Sequence, residues 1–361
     1  VAFTVVLIAC SCVNAEAKAR KTAHPKQKND KNTEREAATR LQVFLDRANF
    51  SPGKLDGHYG EFTLRALALY RQSRGEQAAP IAPGKSAGKA PNLDGLDLKS
   101  VEPVFVTYTV TDADLQTVGD LPDDVAAKAK LKALPYKDAA EAIAEKFHSD
   151  KDFLEQLNPG KTKQIKAGDQ LMVPSVEPFE LAAVKDLKPG HEIQSPTAAN
   201  DAADEAAEPA SEKAADEKDN HAPRPHEGVH IRVDSATKTL GVFEGDAIVA
   251  AYPVSIGSEE TKSPIGEWKV RGVAKMPTFR YDEKVLKKGE RSSDFKMLPP
   301  GPNSPVGVIW IALNKKAIGL HGTDDPDSIG RAASHGCVRM ANWDVVRLAT
   351  KVKNDVPVSI Q

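Results

Sequence analysis

The apolar positions along this chain change period several times, and each change marks a unit. Val1 to Val13 is an apolar run without charge. It is shorter than the ~20 residues a membrane-spanning helix needs. Residues 16 to 35 are polar and Lys-rich, which predicts a disordered tether with too little apolar surface to order itself. Leu41, Val43, Phe44, Leu45 and Ala48 then suit one face of a helix, which Ser51-Pro52-Gly53 breaks. After a turn at Leu55 to Gly60, Thr63, Leu64, Ala66, Leu67 and Tyr70 suit a second helix face. Residues 36 to 75 are therefore predicted to form a small helical domain. Residues 76 to 97, rich in Pro, Ala, Gly and Lys, read as a linker.

A different texture follows. Val104 to Thr111 alternates apolar and polar residues as a strand does. Asp138 to Phe147 and Asp152 to Leu157 read as helices, stopped by Asn158-Pro159-Gly160, and Ile165 to Pro174 as a turn into a strand. This predicts a strand–helix–helix–strand module over 98 to 176, interrupted by an insertion at 116 to 134. Residues 177 to 227 read as a second linker. From about 195 it is Ala-, Glu- and Asp-rich and lacks Leu, Ile, Val and aromatic side chains, so it is expected to be disordered and extended.

From Gly228 onward strands dominate. Val229, Ile231 and Val233 alternate with polar neighbours, and Glu244-Gly245-Asp246 makes a hairpin turn between strands at Thr239 to Phe243 and Ile248 to Ser255. Further strands are expected at 267–273, 308–313, 319–321 and 357–360. Asn342 to Lys353 has the one convincing helical pattern. The fold class is thus multidomain. A mostly-β domain over 228 to 361, a sandwich or partial barrel with one helix near its C-terminal side, follows a small α-helical domain and a small α+β module.

Charge narrows the function only a little. The chain has 49 basic and 51 acidic residues, a net of -2. No basic excess points to nucleic acid as a partner. The cysteines say more. Of three, Cys10 and Cys12 lie in the leading apolar run, which reads as a secretory signal peptide over 1 to 15, with Val13-Asn14-Ala15 as its cleavage site. A second reading takes Leu7-Ile8-Ala9-Cys10 as a lipobox, with Cys10 lipidated as the only attachment to a membrane. Either way the expected location is outside the cytoplasm, in the periplasm or cell wall. Cys337 then stands alone, with no disulfide framework around it.

Cys337 lies in Ser334-His335-Gly336-Cys337-Val338-Arg339-Met340, 16 residues after His321, which ends a strand and is followed by Gly322-Thr323. A thiol attacks as the thiolate, and an imidazole beside it supplies that form by taking the proton. Glycine at 336 allows an incoming carbonyl close to the backbone, where nearby amides can stabilise an oxyanion. Arg339 offers a planar, bidentate donor for a carboxylate. These residue types also have inert readings: a buried thiol, a zinc ligand set of His321, His335 and Cys337, or a structural ion pair at Arg339.

This block resembles the L,D-transpeptidase catalytic domain of the YkuD family. The His321 to Ser-His-Gly-Cys-x-Arg spacing carries the resemblance, with Ser263-Pro264-x-Gly266 and Pro300-Gly301-Pro302-Asn303-x-Pro305-x-Gly307 before Trp310-Ile311. Upstream, Leu41-Gln42, Asp56-Gly57-x-Tyr59-Gly60 and Thr63-x-x-Ala66-Leu67 resemble a peptidoglycan-binding helical domain. Tyr108-x-Val110, Leu157-Asn158-Pro159 and Gly168-Asp169-Gln170-Leu171 resemble a LysM module, from which the insertion departs.

The resemblance implies a peptidoglycan L,D-transpeptidase that needs no cofactor or metal. Cys337 is its acylated nucleophile and His321 its general base and later acid, with the Gly322 carbonyl orienting the imidazole. Gly336 contributes an oxyanion amide, and Ser334, His335, Arg339, Gly322 and Thr323 line the substrate site. The donor is a tetrapeptide stem, the acceptor an amine on another stem or on a protein, and carbapenems mimic the donor. Two other functions stay open at this point: a wall-acting L,D-carboxypeptidase or cysteine peptidase, and a non-catalytic wall anchor. Residues 274 to 300 read equally as a lid or a solvated loop.

Overall fold

The computed structural model describes residues 25–77, 90–190, 192–193, 228–257, 263–284, 292–315, 318–330, 332–334 and 336–361. The expected signal segment, Cys10 and the acidic stretch from 195 lie outside the described residues.

Helices α1 (Pro25–Arg47) and α2 (Glu61–Ser73) form the N-terminal unit. They close over Leu41, Leu45, Phe50, Tyr59, Leu64 and Leu67. Gln42 explains the turn between them. Its amide nitrogen donates to Asp56 and Thr63, and its oxygen accepts from the Gly57 N–H at 3.0 Å. Gly57 takes a φ of 72°, which disfavours other residues. The predicted tether is corrected here: α1 begins at Pro25, well before position 36. Lys, Gln, Glu and Arg are good helix formers, and elongating a helix already anchored by its packed half costs little.

In the second unit, β1 (Phe105–Thr109) pairs antiparallel with β2 (Gln170–Pro174). Between them run α3 (Asp112–Leu115), α4 (Val125–Lys128), α5 (Ala139–Lys146) and α6 (Lys151–Leu157). Asp138 and Asp150 cap α5 and α6 by accepting from free backbone N–H groups. Ile143, Phe147, Leu154, Leu171 and Val173 form the core. Asn158 ends α6 and fastens it to β2 through both its amide groups and the backbone of Met172.

The segment after 176 is not a free linker. Phe179 and Val184 are buried in the core of the C-terminal domain, with a 3-10 turn at Leu181–Asp186. The Ile193 N–H donates to Val273 at 3.0 Å. Four apolar side chains between 179 and 187 are enough to hold this stretch down, a signal that its Lys, Pro and Glu content masked.

The C-terminal domain is built on β3 (Val229–Asp234), β4 (Thr239–Glu244), β5 (Ala247–Pro253), β7 (Gly266–Lys275), β10 (Ile309–Leu313), β11 (Gly319–His321), β13 (Val338–Arg339) and β14 (Pro357–Ile360). They form one mixed sheet in the order β13-β11-β10-β7-β14-β3-β4-β5. Two small ribbons join it: β6 (Ile256–Gly257) with β12 (Ala332–Ser334), and β8 (Phe279–Tyr281) with β9 (Lys296–Leu298). Helix α7 (Asn342–Ala349) buries Trp343, Val345 and Leu348 against the sheet. The mostly-β expectation holds: the long strand β7 pairs with β14 through its first half and with β10 through its second, and one helix packs on the curled sheet. The helix also stops before Lys353, because the Thr350 hydroxyl donates to the Arg347 carbonyl and the chain turns.

The units are packed together. Phe50 bridges Ala251 on edge strand β5, and Ser51 donates to the Ala251 carbonyl at 2.8 Å, so the helical unit covers that edge.

Candidate active site

Three short strands place the reactive side chains. β10 pairs antiparallel with β11, setting Trp310 opposite His321. β11 pairs in parallel with β13, setting Leu320 opposite Val338 and His321 opposite Arg339. Opposed residues project to the same face, and side chains alternate along a strand. Cys337 lies two residues before Arg339, just outside β13, and joins this group by packing against the cluster that contains Trp310. The backbone reaches Cys337 through Gly336, whose φ of 106° strains any residue with a side chain.

His321 is 3% exposed and stacks on the Trp310 indole, with ring centroids 5.1 Å apart. Its Nδ1 lies 2.6 Å from the Gly322 carbonyl. A carbonyl only accepts, so Nδ1 carries the proton and Nε2 holds the lone pair of a base. Burial pulls the imidazole down to about 3; the Gly322 carbonyl opposes this and the Arg339 charge adds to it. Burial pushes the Cys337 thiol up to about 11, against a hydrogen bond from the Gly319 backbone and the nearby Arg339 charge. The thiol packs against the cluster of Ala274, Val306 and Trp310, which Phe279 and Ile193 also cover. The resting pair is thus a neutral thiol with a neutral imidazole. The Gly322 carbonyl and the indole face would both favour an imidazolium at His321.

Asn342, which sequence reasoning did not single out, braces the loop after His321. It is fully buried, and its Oδ1 accepts from the Val308 N–H at 3.1 Å. Its Nδ2 donates to the Thr323 carbonyl at 3.2 Å. A Cβ on Gly307 or Gly322 would fall 2.1 Å from that Oδ1, which explains both glycines. The only advance signal was a polar residue at the start of an otherwise apolar helix face.

The other expected residues divide. Arg339 is half-buried, and its backbone exchanges two 2.9 Å hydrogen bonds with Ser255. Thr323 is 1% exposed, and its hydroxyl accepts from the Asp325 N–H at 3.1 Å, which shapes the loop after His321. The Ser334 side chain and all of His335 lie outside the described residues. Of the expected lid, β8 and β9 form a ribbon that brings Phe279 against the Cys337 cluster. Asp282, 2% exposed, ties that ribbon to Ser292 and Arg280.

Residues 228–360 match the family model YkuD, described as the L,D-transpeptidase catalytic domain. The chain is 35% identical over 130 residues to the putative L,D-transpeptidase YkuD of Bacillus licheniformis, covering 36% of this chain and 64% of that protein. It is 32% identical over 133 residues to the probable L,D-transpeptidase YbiS of Escherichia coli, covering 35% of this chain and 42% of that one. The match thus spans less than two thirds of either relative. Among solved structures, the catalytic domain from E. faecium L,D-transpeptidase aligns with a TM-score of 0.30 at 19% identity, over 37% of this chain and 98% of that chain. His321, Trp310 and Cys337 therefore all lie within the segment that matches the L,D-transpeptidase catalytic-domain model, residues 228–360.

Proposed function

We propose that the chain is a peptidoglycan L,D-transpeptidase. Cys337 attacks the carbonyl of the third residue of a tetrapeptide stem while His321 Nε2 takes the thiol proton. The carbon–nitrogen bond breaks, the proton passes to the leaving amine, and D-Ala departs, leaving a thioester. An amine acceptor then displaces the sulfur, giving up its proton through His321 and restoring the thiol. Amides at Gly336 and Cys337 hold the oxyanion, and Arg339 docks a carboxylate of the donor.

One observation carries this reading: His321, its Nδ1 committed to the Gly322 carbonyl, stacks on Trp310, and Cys337 packs against the cluster that contains Trp310. A positioned neutral base beside a thiol is what acyl transfer through a thioester requires. The two N-terminal units fit a wall-binding role, the first as a peptidoglycan-binding-like domain and the second as a LysM-like module. Binding there raises the effective concentration of wall substrate at the site. Action in the periplasm or wall follows from that substrate. Among the described residues, no helix is long and apolar enough to cross a membrane.

The test is incubation of the full chain with tetrapeptide muropeptides, followed by mass spectrometry. The proposal expects cross-linked dimers with release of D-Ala, both absent in Cys337→Ala. Shortened monomers without dimers would make it a carboxypeptidase, and no Cys337-dependent product would leave a wall anchor.

A further inference from the structure

The brace behind His321 is itself held from outside the catalytic domain. Glu145 lies on α5 of the second unit, 197 positions before Asn342, and its Oε1 accepts from Asn342 Nδ2 at 2.7 Å. This is the shortest contact that amide nitrogen makes; those to Thr323 and Pro302 are 3.2 and 3.3 Å. We propose that Glu145 is a positioning residue for His321, so that the catalytic centre is complete only with the second unit docked. The inference rests on the acyl-transfer reading above.

The geometry runs through four links. Oε1 of Glu145 accepts, so it fixes which end of the Asn342 amide faces it. That orientation turns Oδ1 toward the Val308 N–H and the glycine surfaces of Gly307 and Gly322. The same amide holds the Thr323 carbonyl, one peptide beyond the Gly322 carbonyl, and so anchors the loop from which that carbonyl projects. The Gly322 carbonyl then fixes the His321 tautomer and ring plane. Without the Glu145 acceptor, a buried N–H loses its nearest partner, and the amide is held only by the longer contacts to Thr323, Pro302 and Val308. Glu145 and Asn342 are both buried, so water does not replace the contact readily.

Docking of the second unit is built on further contacts to the same loops. Leu134 donates its N–H to the Pro300 carbonyl at 2.9 Å, and Asn303 Nδ2 donates to Pro135 at 2.8 Å. Lys54 bridges Asp150 of the second unit and Asp327 of the loop after His321. The Trp343 ring, next to Asn342, stacks on His148 with centroids 5.1 Å apart. The Glu145 carboxyl group that reaches Asn342, pushed up to about 8 by burial, therefore sits in an interface held on several sides.

The experiment follows acylation of Cys337 in the full chain by imipenem, read by intact mass over time and across drug concentrations. Glu145→Met keeps the volume and removes the acceptor; Glu145→Gln keeps an acceptor oxygen. The expected result is a maximal acylation rate lowered about tenfold in Glu145→Met, with the half-saturating concentration and melting temperature little changed. Glu145→Gln should recover that rate to within about twofold, as restored orientation requires. Wild-type rates in Glu145→Met, or a defect confined to the half-saturating concentration, overturn the assignment. If Glu145→Met does not fold, Glu145→Leu is read in the same way. A wild-type chain that imipenem never acylates would overturn the acyl-transfer reading and this assignment with it. Acylated wild type with an indifferent Glu145→Met overturns the assignment alone.

Discussion

Arg347 on α7 grips Asp46 on α1 through two guanidinium–carboxylate hydrogen bonds of 2.9 and 3.0 Å, across the boundary between the catalytic domain and the N-terminal helices. His148 of the second unit places its Nδ1 3.0 Å from the same carboxylate. One fully buried side chain thus joins all three units. Burial alone would raise its pKa, but His148 and Arg347 outweigh that and hold Asp46 well below the usual carboxylate range. Burial lowers the His148 pKa, against the opposing pull of Asp46.

Removing one partner of such a pair strands the other charge. Asp46→Asn should therefore destabilise the chain by about 3–5 kcal/mol, measured by denaturant unfolding. The pH dependence has a definite sign. A depressed carboxylate stabilises above its unfolded pKa of 3.8, and that contribution is lost as pH falls below it. A depressed histidine likewise costs stability as the unfolded chain gains its proton below 6.5. Wild type should thus weaken in two acid stages. Asp46→Asn should lack the later one, so its gap from wild type narrows below pH 4 (roughly the unfolded carboxylate value). A gap that stays constant from pH 7 to 3 would refute this account of the interface.

Much of the catalytic domain was legible in the sequence because its signals are local. Gly319–His321 and Pro357–Ile360 have the bounds that alternation predicts, and the Cys337 turn is a contiguous motif. The brace was not legible, since Glu145 and Asn342 are far apart in the chain, and a polar residue at the start of an apolar helix face does not name its partner. The early start of α1 and the docked segment at 179–193 were missed for a related reason. Composition describes average solvation, whereas a few buried side chains such as Val184 decide whether a polar stretch is held. The glycines at 307 and 322 were visible as letters, but their cause, the Asn342 amide, is tertiary.

The insertion that departs from the LysM pattern has its own test. Gly301 adopts φ 153°, and a Cβ there would fall 2.2 Å from the Leu134 carbonyl oxygen. The obstacle is backbone, so no side chain can rotate out of the way. Leu134 is fully buried and closes the insertion onto the 300–303 loop through two backbone hydrogen bonds. Gly301→Ala should pry that contact open. Hydrogen exchange at Leu134 and Asn303 should quicken by at least about tenfold, while amides of α2 keep their protection. Unchanged exchange at Leu134 would mean that the insertion is anchored elsewhere.

The last prediction separates a resting thiolate from base catalysis. With the Cys337 thiol pushed up to about 11 and His321 pulled down to about 3, the resting thiol is protonated whether or not His321 is present. Alkylation by iodoacetamide requires thiolate, so its rate should climb about tenfold per pH unit between pH 6 and 9 with no plateau. His321→Gln should barely alter that profile. Carbapenem acylation needs the proton removed during attack and should fall by about 10²–10⁴-fold in the same variant. An alkylation plateau near neutral pH that vanishes in His321→Gln would instead demonstrate a preformed thiolate–imidazolium pair. The neutral resting state would then be wrong, and the buried, indole-stacked His321 would have to be charged before substrate arrives.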